Sequence, residues 1–362
     1  MIDEQTKSRW RSLLSHRSTP FQDPAWIEHS AAGNTDWILE LDRGFAPLYL
    51  AKRNTTRTIR LFGGDYEDVI AQSGAEREVF GDLMARLKGR QSEFDICDFR
   101  CLLPESVLLS CVSDGQGALR IPKEMDASFK GYTVRLLPHH SYFVVNVPGT
   151  WPEMEAQLGK KLAYKIRAEE GRRKKYFTTS VLREATPETL DEDFQTVVDV
   201  HTTRWEARGQ RGQLWDLATR VRLLEVCRGF LSEGKLRIYT LRLDDQPASG
   251  LLCFCDEKRV YFLLGGFDPK FAKHHPGKVL IAKAIKDCID RGPAIFDFIK
   301  GEESYKDDWA NGRQQLYRLV IARNTPRGLL ALGILQLQGW YKDRRRNKTH
   351  KKKHADREPE SN

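Results

Sequence analysis

Apolar and polar residues alternate through KLRIYTLRL, ASGLLCFC and VYFLLGGFD in the C-terminal half, with the polar turns DDQP and DEKR between them. Alternation of period two sends successive side chains to opposite faces, so these runs predict three antiparallel strands joined by short turns. The period then changes. From Gly277 to about Arg291, Ile281, Ile285 and Ile289 recur every four residues, the buried stripe of an amphipathic helix. AIFDFI and, later, QLYRLVIAR return to the strand pattern. The N-terminal half runs through the same order: DWILELD, FAPLYLAKR, TRTIRLFGGD, a helix from about Ala75 to Lys88, then EFDICDF.

The register agrees as well as the order. Gly63-Gly64 and Gly265-Gly266 stand 202 residues apart, as do Phe94-Asp95 and Phe296-Asp297. At the same offset Val79, Leu83 and Leu87 fall on Ile281, Ile285 and Ile289. Internal repetition on this scale predicts an α/β protein with a mixed sheet, built as two packed copies of a β-β-β-α-β unit. The last strand of each unit must run parallel to the third, because a helical crossover joins them. We expect a first copy over 1–150, a second over 151–325, an amphipathic segment over 326–341 and a disordered basic tail over 342–362. The Gly-Gly pair at the end of each third strand predicts a bulge that splays the strand from its neighbour. Backbone groups freed in that way can bind an extended, amide-containing ligand.

Composition narrows the class. With 362 residues, 40% hydrophobic and 10% aromatic, the chain has enough apolar material for large cores. No apolar run is long enough to span a bilayer, and the N-terminus lacks the apolar stretch of a signal peptide, so a cytoplasmic protein is expected. Seven cysteines without a CxxC spacing read as reduced core thiols, and no metal is expected. The net charge of +9 is concentrated at one end: 342–354, KDRRRNKTHKKKH, carries +7 and the final ADREPESN −2, leaving +4 for 1–341. Nucleic acid is therefore not the expected partner of the folded part. A charge block at a terminus reads as a solvated tail, although PRGLLALGILQLQGWYK, ending in Trp340 and Tyr341 beside the cations, could rest peripherally on an anionic membrane, at the inner face.

The copies differ in chemistry where they agree in pattern. AQSGAE before the first helix is replaced by KHHPGK before the second, and RCLLPE after the first copy's last strand by GEESYK. The second copy should carry the site, with the first non-catalytic. Pro276-Gly277 opens the second helix, so its first N–H groups, with Lys273, Lys278, His274 and His275, can hold an anion. Asp297 lies mid-strand, where burial raises a carboxyl pKa unless a cation answers it. It reads either as a base or as half of a structural ion pair, and Asp95 in the first copy speaks for scaffolding. Lys300, Glu302, Tyr305 and Lys306 lie beyond the strand's carboxyl end, where open α/β sheets collect ligands. In HTTRWEAR, His201, Arg204 and Trp205 share a helix face and could form a sugar or anion platform. In LGKKLAYKIRAEEGRRKKY, Leu158, Leu162 and Ile166 form the buried stripe, with Lys161 and Lys165 on another face suited to an anionic glycan or lipid phosphate.

The order of strands, bulged strand, loop, helix and strand resembles the GNAT acyltransferases. The words RW, GGFDP, HHPGKVLIAKAI and FDFIKGEESYKDDW, with TPFQDPAW and APLYL upstream, are similar to the CelD/BcsL-type members linked to exopolysaccharide or cellulose biosynthesis. The resemblance covers most of 18–323. It implies acetyl-CoA as acyl donor, with pantetheine along 259–267 at Gly265, Gly266 and Phe267 and pyrophosphate at the N–H groups of Gly277, Lys278 and Val279. This loop departs from the usual one in placing His274, Gly277 and Val279 at its key positions. The implied reaction is acyl transfer to an amine or hydroxyl of a saccharide, with Asp297 or Glu302 as base, Tyr305 as acid and Lys306 as electrostatic partner. His201, Arg204, Trp205, Lys161, Lys165 and Lys300 would bind the acceptor. Fem-type aminoacyl ligases, which draw on aminoacyl-tRNA, share the tandem fold and are the alternative enzyme; a non-catalytic accessory protein of a glycan synthase is the third reading.

Overall fold

The computed structural model describes residues 2–15, 17–53, 56–115, 117–301 and 303–338. Their strands are β1 (Ile38–Leu41), β2 (Gly44–Arg53), β3 (Thr56–Leu61), β4 (Ile70–Ala71), β5 (Ile96–Leu102), β6 (Tyr132–Asn146), β7 (Ser180–Glu184), β8 (Leu236–Leu243), β9 (Gln246–Cys255), β10 (Arg259–Phe267), β11 (Ile295–Lys300) and β12 (Gly312–Arg323). They join into a 12-stranded mixed sheet ordered β1-β2-β3-β5-β12-β6-β11-β10-β9-β8-β7, with β4 against β2. Both parallel pairs required by the helical crossovers are present: Thr58 stands opposite Ile96, and Arg259 opposite Ile295.

The halves are welded by exchanged strands. The long strand β6 pairs with β11, while β12, from the C-terminal end of the chain, pairs with β5 and β6. The sheet is therefore continuous across the two repeats. Hydrogen bonds that would otherwise end at an edge are completed by the other half, which removes two exposed edges.

Helices cover the sheet where the apolar stripes dictate. In the Pro276–Arg291 helix Pro276 supplies a preset first turn, Gly292 at φ 103° ends it, and Leu280, Ile281, Ala284, Ile285 and Cys288 are buried. Each large aliphatic side chain so buried contributes roughly 1.5–3 kcal/mol. The Leu190–Glu206 helix approaches the sheet much more closely. Gly250 and Gly266 are cross-strand partners on β9 and β10. A Cβ at Gly250 would lie 2.9 Å from the Val197 Cα, and one at Gly266 would lie 2.9 Å from the Val200 carbonyl oxygen. This corrects the expected role of the glycine pair: the register of β10 against β9 shifts between Phe262 and Leu264, upstream of Gly265 and Gly266. The glycine at 266 provides helix clearance, and the bulge belongs to Leu263.

On the Lys160–Tyr176 helix the predicted stripe faces inward at Leu162, with Ile166 partly buried. Residues 326–338 are helical, and Ala331 and Leu332 pack on Ile96, Val320 and Ala322. Trp340, Tyr341 and the basic tail lie outside the described residues.

Candidate active site

The sheet parts where the repeat comparison placed the chemistry. Parallel pairing between β10 and β11 covers Arg259 to Tyr261 and ends at Asp297. Beyond it, the edge of β10 from Phe262 to Phe267 has no strand partner on that side among the described residues. Strand β11 turns away toward β6, with a register break between Asp297 and Lys300 and Ile299 at φ 50°. Three carbonyls of the departing strand are taken up by one ammonium: Lys306 Nζ donates to the oxygens of Phe298 at 2.8 Å, Lys300 at 3.0 Å and Ile299 at 3.4 Å. Lys306 is only 2% exposed, and Glu303 balances its charge at 3.0 Å. The sequence reading gave Lys306 to phosphate or acceptor. Its burial and its carbonyl bonds make it instead the clamp that holds the end of β11 open.

Asp297 is also redirected. It is fully buried, with Oδ2 accepting from Arg259 at 2.8 Å and Oδ1 accepting from the Tyr66 hydroxyl at 2.8 Å and the Ile299 N–H at 2.7 Å. Burial pushes its carboxyl pKa up, and Arg259 and Tyr66 pull it back. The first copy repeats the device: Arg57 NH2 bonds Asp95 Oδ1 at 3.1 Å, and both members lie 202 positions before Arg259 and Asp297. A pair present in both copies, lining neither of the two cavities described below, serves as scaffold, which speaks against a base role for Asp297. Glu302 lies outside the described residues.

Between the unpaired edge of β10, the Leu190–Glu206 helix and the start of the Pro276–Arg291 helix is an apolar cavity of about 150 Å³. Gly265, Gly266, Phe267, Gly277 and Lys278 line it, as expected, together with Arg204 and Tyr305. Ser249, Gly250, Phe262 and Trp309, which the sequence reading did not single out, complete the walls. A counted hairpin register could have signalled Gly250, but the bulge at Leu263 shifts the count by one. Lys278 and Trp309 also border a second, polar cleft of about 480 Å³ whose rim includes Lys161, Lys165 and Asn311. Lys161 and Lys165 therefore meet the start of the Pro276–Arg291 helix. Trp309 borders both spaces, and its indole N–H is buried with no partner among the described residues.

The Tyr305 hydroxyl makes no hydrogen bond among the described residues. Burial, then the charge of Glu303, pushes its phenol well above the ordinary range, against the pull of Arg204, so the hydroxyl keeps its proton. Arg204 has no ion pair among the described residues and lies over the Phe267 ring at 5.5 Å. Burial, then Arg208, lowers its pKa.

Other expected ligand residues are engaged elsewhere. His201 is buried and accepts from Trp205 Nε1 at 3.0 Å, so of the predicted platform only Arg204 reaches the cavity. Lys300 is tied to Asp65 at 3.2 Å and to the Gly64 carbonyl, bridging the two copies. His274 is buried against Phe177, and Val279 belongs to the core. His275, at φ 47°, turns the chain into the helix. Its carbonyl accepts from the Lys278 N–H at 2.9 Å and the Val279 N–H at 3.3 Å. Those two donors are thus spent, and Gly277 supplies the remaining N–H of the expected three.

Buried His201 and half-buried His29 contribute stability that acid removes. Burial, then Arg204, lowers His201 from 6.5 to about 4; burial, then Arg222, lowers His29 to about 4. Because the unfolded chain binds these protons first, the stability the two histidines contribute is lost as pH drops from about 6.5 towards 4, while Glu67 and Asp68, raised by burial to about 8 and about 7, act in the opposite sense.

Comparison with known proteins agrees with this geometry. Residues 161–307 match the acetyltransferase (GNAT) domain family, Acetyltransf_6. No curated protein matches the chain. Among solved structures, FemX is similar at TM-score 0.57 and 11% identity, covering 90% of this chain and 97% of FemX. A conserved protein of unknown function from Bacteroides thetaiotaomicron VPI-5482 is similar at TM-score 0.53 and 9% identity, covering 89% of this chain and 98% of the other. The chain has a tandem GNAT-like fold, and its residues 161–307 are similar to the acetyltransferase (GNAT) domain.

Proposed function

We propose that the protein transfers an acyl group, acetyl in the first instance, from acyl-CoA to an amine or hydroxyl of a saccharide, such as an exopolysaccharide or cellulose precursor. The observation that carries the donor is the joining of two unlike spaces. A narrow apolar cavity beside an unpaired strand edge suits a thin, amide-bearing arm, and the lysine-rimmed cleft sharing Lys278 and Trp309 suits a polyanionic head. The orphaned Trp309 N–H is a donor that a bound ligand would satisfy. The acceptor class rests on the sequence resemblance to the CelD/BcsL type.

In this reading the free N–H groups of β10 donate to the thioester oxygen as charge develops there. The neutral Tyr305 phenol gives its proton to the departing sulfur as the acceptor attacks the carbonyl carbon. Glu302 retains the base role, since no carboxylate lines the apolar cavity among the described residues. Lys161, Lys165, Lys278 and the Gly277 N–H hold the diphosphate end.

The test is ligand-dependent thermal stabilisation. Acetyl-CoA should raise the melting temperature in proportion to the logarithm of its concentration. Trp309→Phe, which keeps the ring and removes the donor, should weaken binding about tenfold, the worth of one hydrogen bond to a charged or strongly polar group. The likeness to FemX favours a second reading, a Fem-type aminoacyl transferase. Stabilisation by aminoacyl-tRNA with none by acetyl-CoA would select it, and a response to neither would favour the accessory role.

A further inference from the structure

The helix at 326–338 buries one stripe and leaves the other side apolar. Gly328, Ala331 and Leu332 are buried at i, i+3 and i+4. The opposite arc carries Leu329 at 49% exposure, Leu330 at 59%, Ile334 at 36% and Leu337 at 66%. A surface helix ordinarily turns polar and charged residues to water. Here Arg327, Gln336 and Gln338 are confined to the flanks of the outward arc, and the middle of it holds leucine, isoleucine and glycine. The helix is too short to span: no helix among the described residues is long and apolar enough to cross a membrane.

Charge complementarity identifies the occupant. Eight Lys/Arg against one Asp fall within 342–354, beginning four positions after Gln338. At no more than about 3.5 Å of reach per residue, Lys342 can stand no farther than roughly 18 Å from Leu337, so cations and leucines can meet the same bilayer face. Cations beside an apolar face match a bilayer, whose headgroups meet the charges while its acyl boundary covers the leucines. A nucleic acid would satisfy the cations and leave the leucines in water.

We propose that the outward face of the 326–338 helix, with the basic run that follows it, docks the protein on an anionic membrane surface. The inference is independent of the acyl-transfer reading and places the enzyme on the bilayer without a spanning segment.

Flotation of the full chain with vesicles tests it, using phosphatidylcholine alone and phosphatidylcholine containing phosphatidylglycerol. Binding should be at least about tenfold stronger to the anionic vesicles and should weaken as salt is raised. The double variant Leu330→Glu, Leu337→Glu should lose at least about tenfold of that binding, as should neutralisation of Lys351, Lys352 and Lys353 to Gln. Leu330 and Leu337 line neither cavity, so for the leucine variant stabilisation by acetyl-CoA and the circular dichroism spectrum should match the unaltered chain. Absence of wild-type binding to anionic vesicles, or unchanged binding by the leucine variant, overturns the proposal. So does a dimer in solution that the leucine variant abolishes, since a second copy would then own the face; binding of RNA that survives the leucine variant while vesicles are ignored would assign the cations elsewhere.

Discussion

Tyr305→Phe should lower turnover by about 100-fold or more while leaving acetyl-CoA binding within about twofold, because a general acid acts in the transition state and not in the ground state. The geometry separates the two effects. Tyr305 lines the apolar cavity, its hydroxyl makes no hydrogen bond among the described residues, and burial and Glu303 keep that hydroxyl protonated. The Phe ring fills the same space against Phe262 and Phe298, so the packing contacts at 6.5 and 6.0 Å between ring centroids survive. Steady-state kinetics with acetyl-CoA, combined with calorimetric titration of the donor, would read both quantities. Undiminished turnover in the variant would remove Tyr305 from the chemistry.

Asp297→Ala should unfold the protein far more readily and should do so without a specific defect in catalysis. The substitution leaves the Arg259 guanidinium, only 13% exposed, without its carboxylate and strips the Tyr66 hydroxyl and the Ile299 N–H of their acceptor. Breaking a buried ion pair in this way costs about 3–5 kcal/mol. Asp95→Ala is the internal control: its partner Arg57 is 32% exposed, water can replace the carboxylate, and the loss should be smaller. Denaturant midpoints of both variants would measure the difference, with activity normalised to the folded fraction. Preserved stability with lost turnover in Asp297→Ala would return the base role to that carboxylate.

Tyr66 shows why the two copies cannot be treated as separate halves. It follows the first copy's Gly63-Gly64, yet its hydroxyl ends on Asp297 of the second. Lys300 makes the reverse connection, reaching back to Asp65. Both contacts join residues more than 230 positions apart, and no local periodicity carries such information.

The strands, the crossover helices and the pairing of repeats were legible because they depend on period and offset, and these are properties of the chain read in one dimension. The same offset that matched Asp95 with Asp297 also matches Arg57 with Arg259, so the sequence contained the scaffold ion pair in full. What tertiary structure alone decided was exposure. Lys306 looked like a free cation beside a site until the fold closed over it and gave it three carbonyls. Lys161 and Lys165, spaced on a helix that could have faced anywhere, came to rim the cleft. The cost of burying a charge is met only by partners brought from elsewhere, and those partners are fixed by packing in three dimensions.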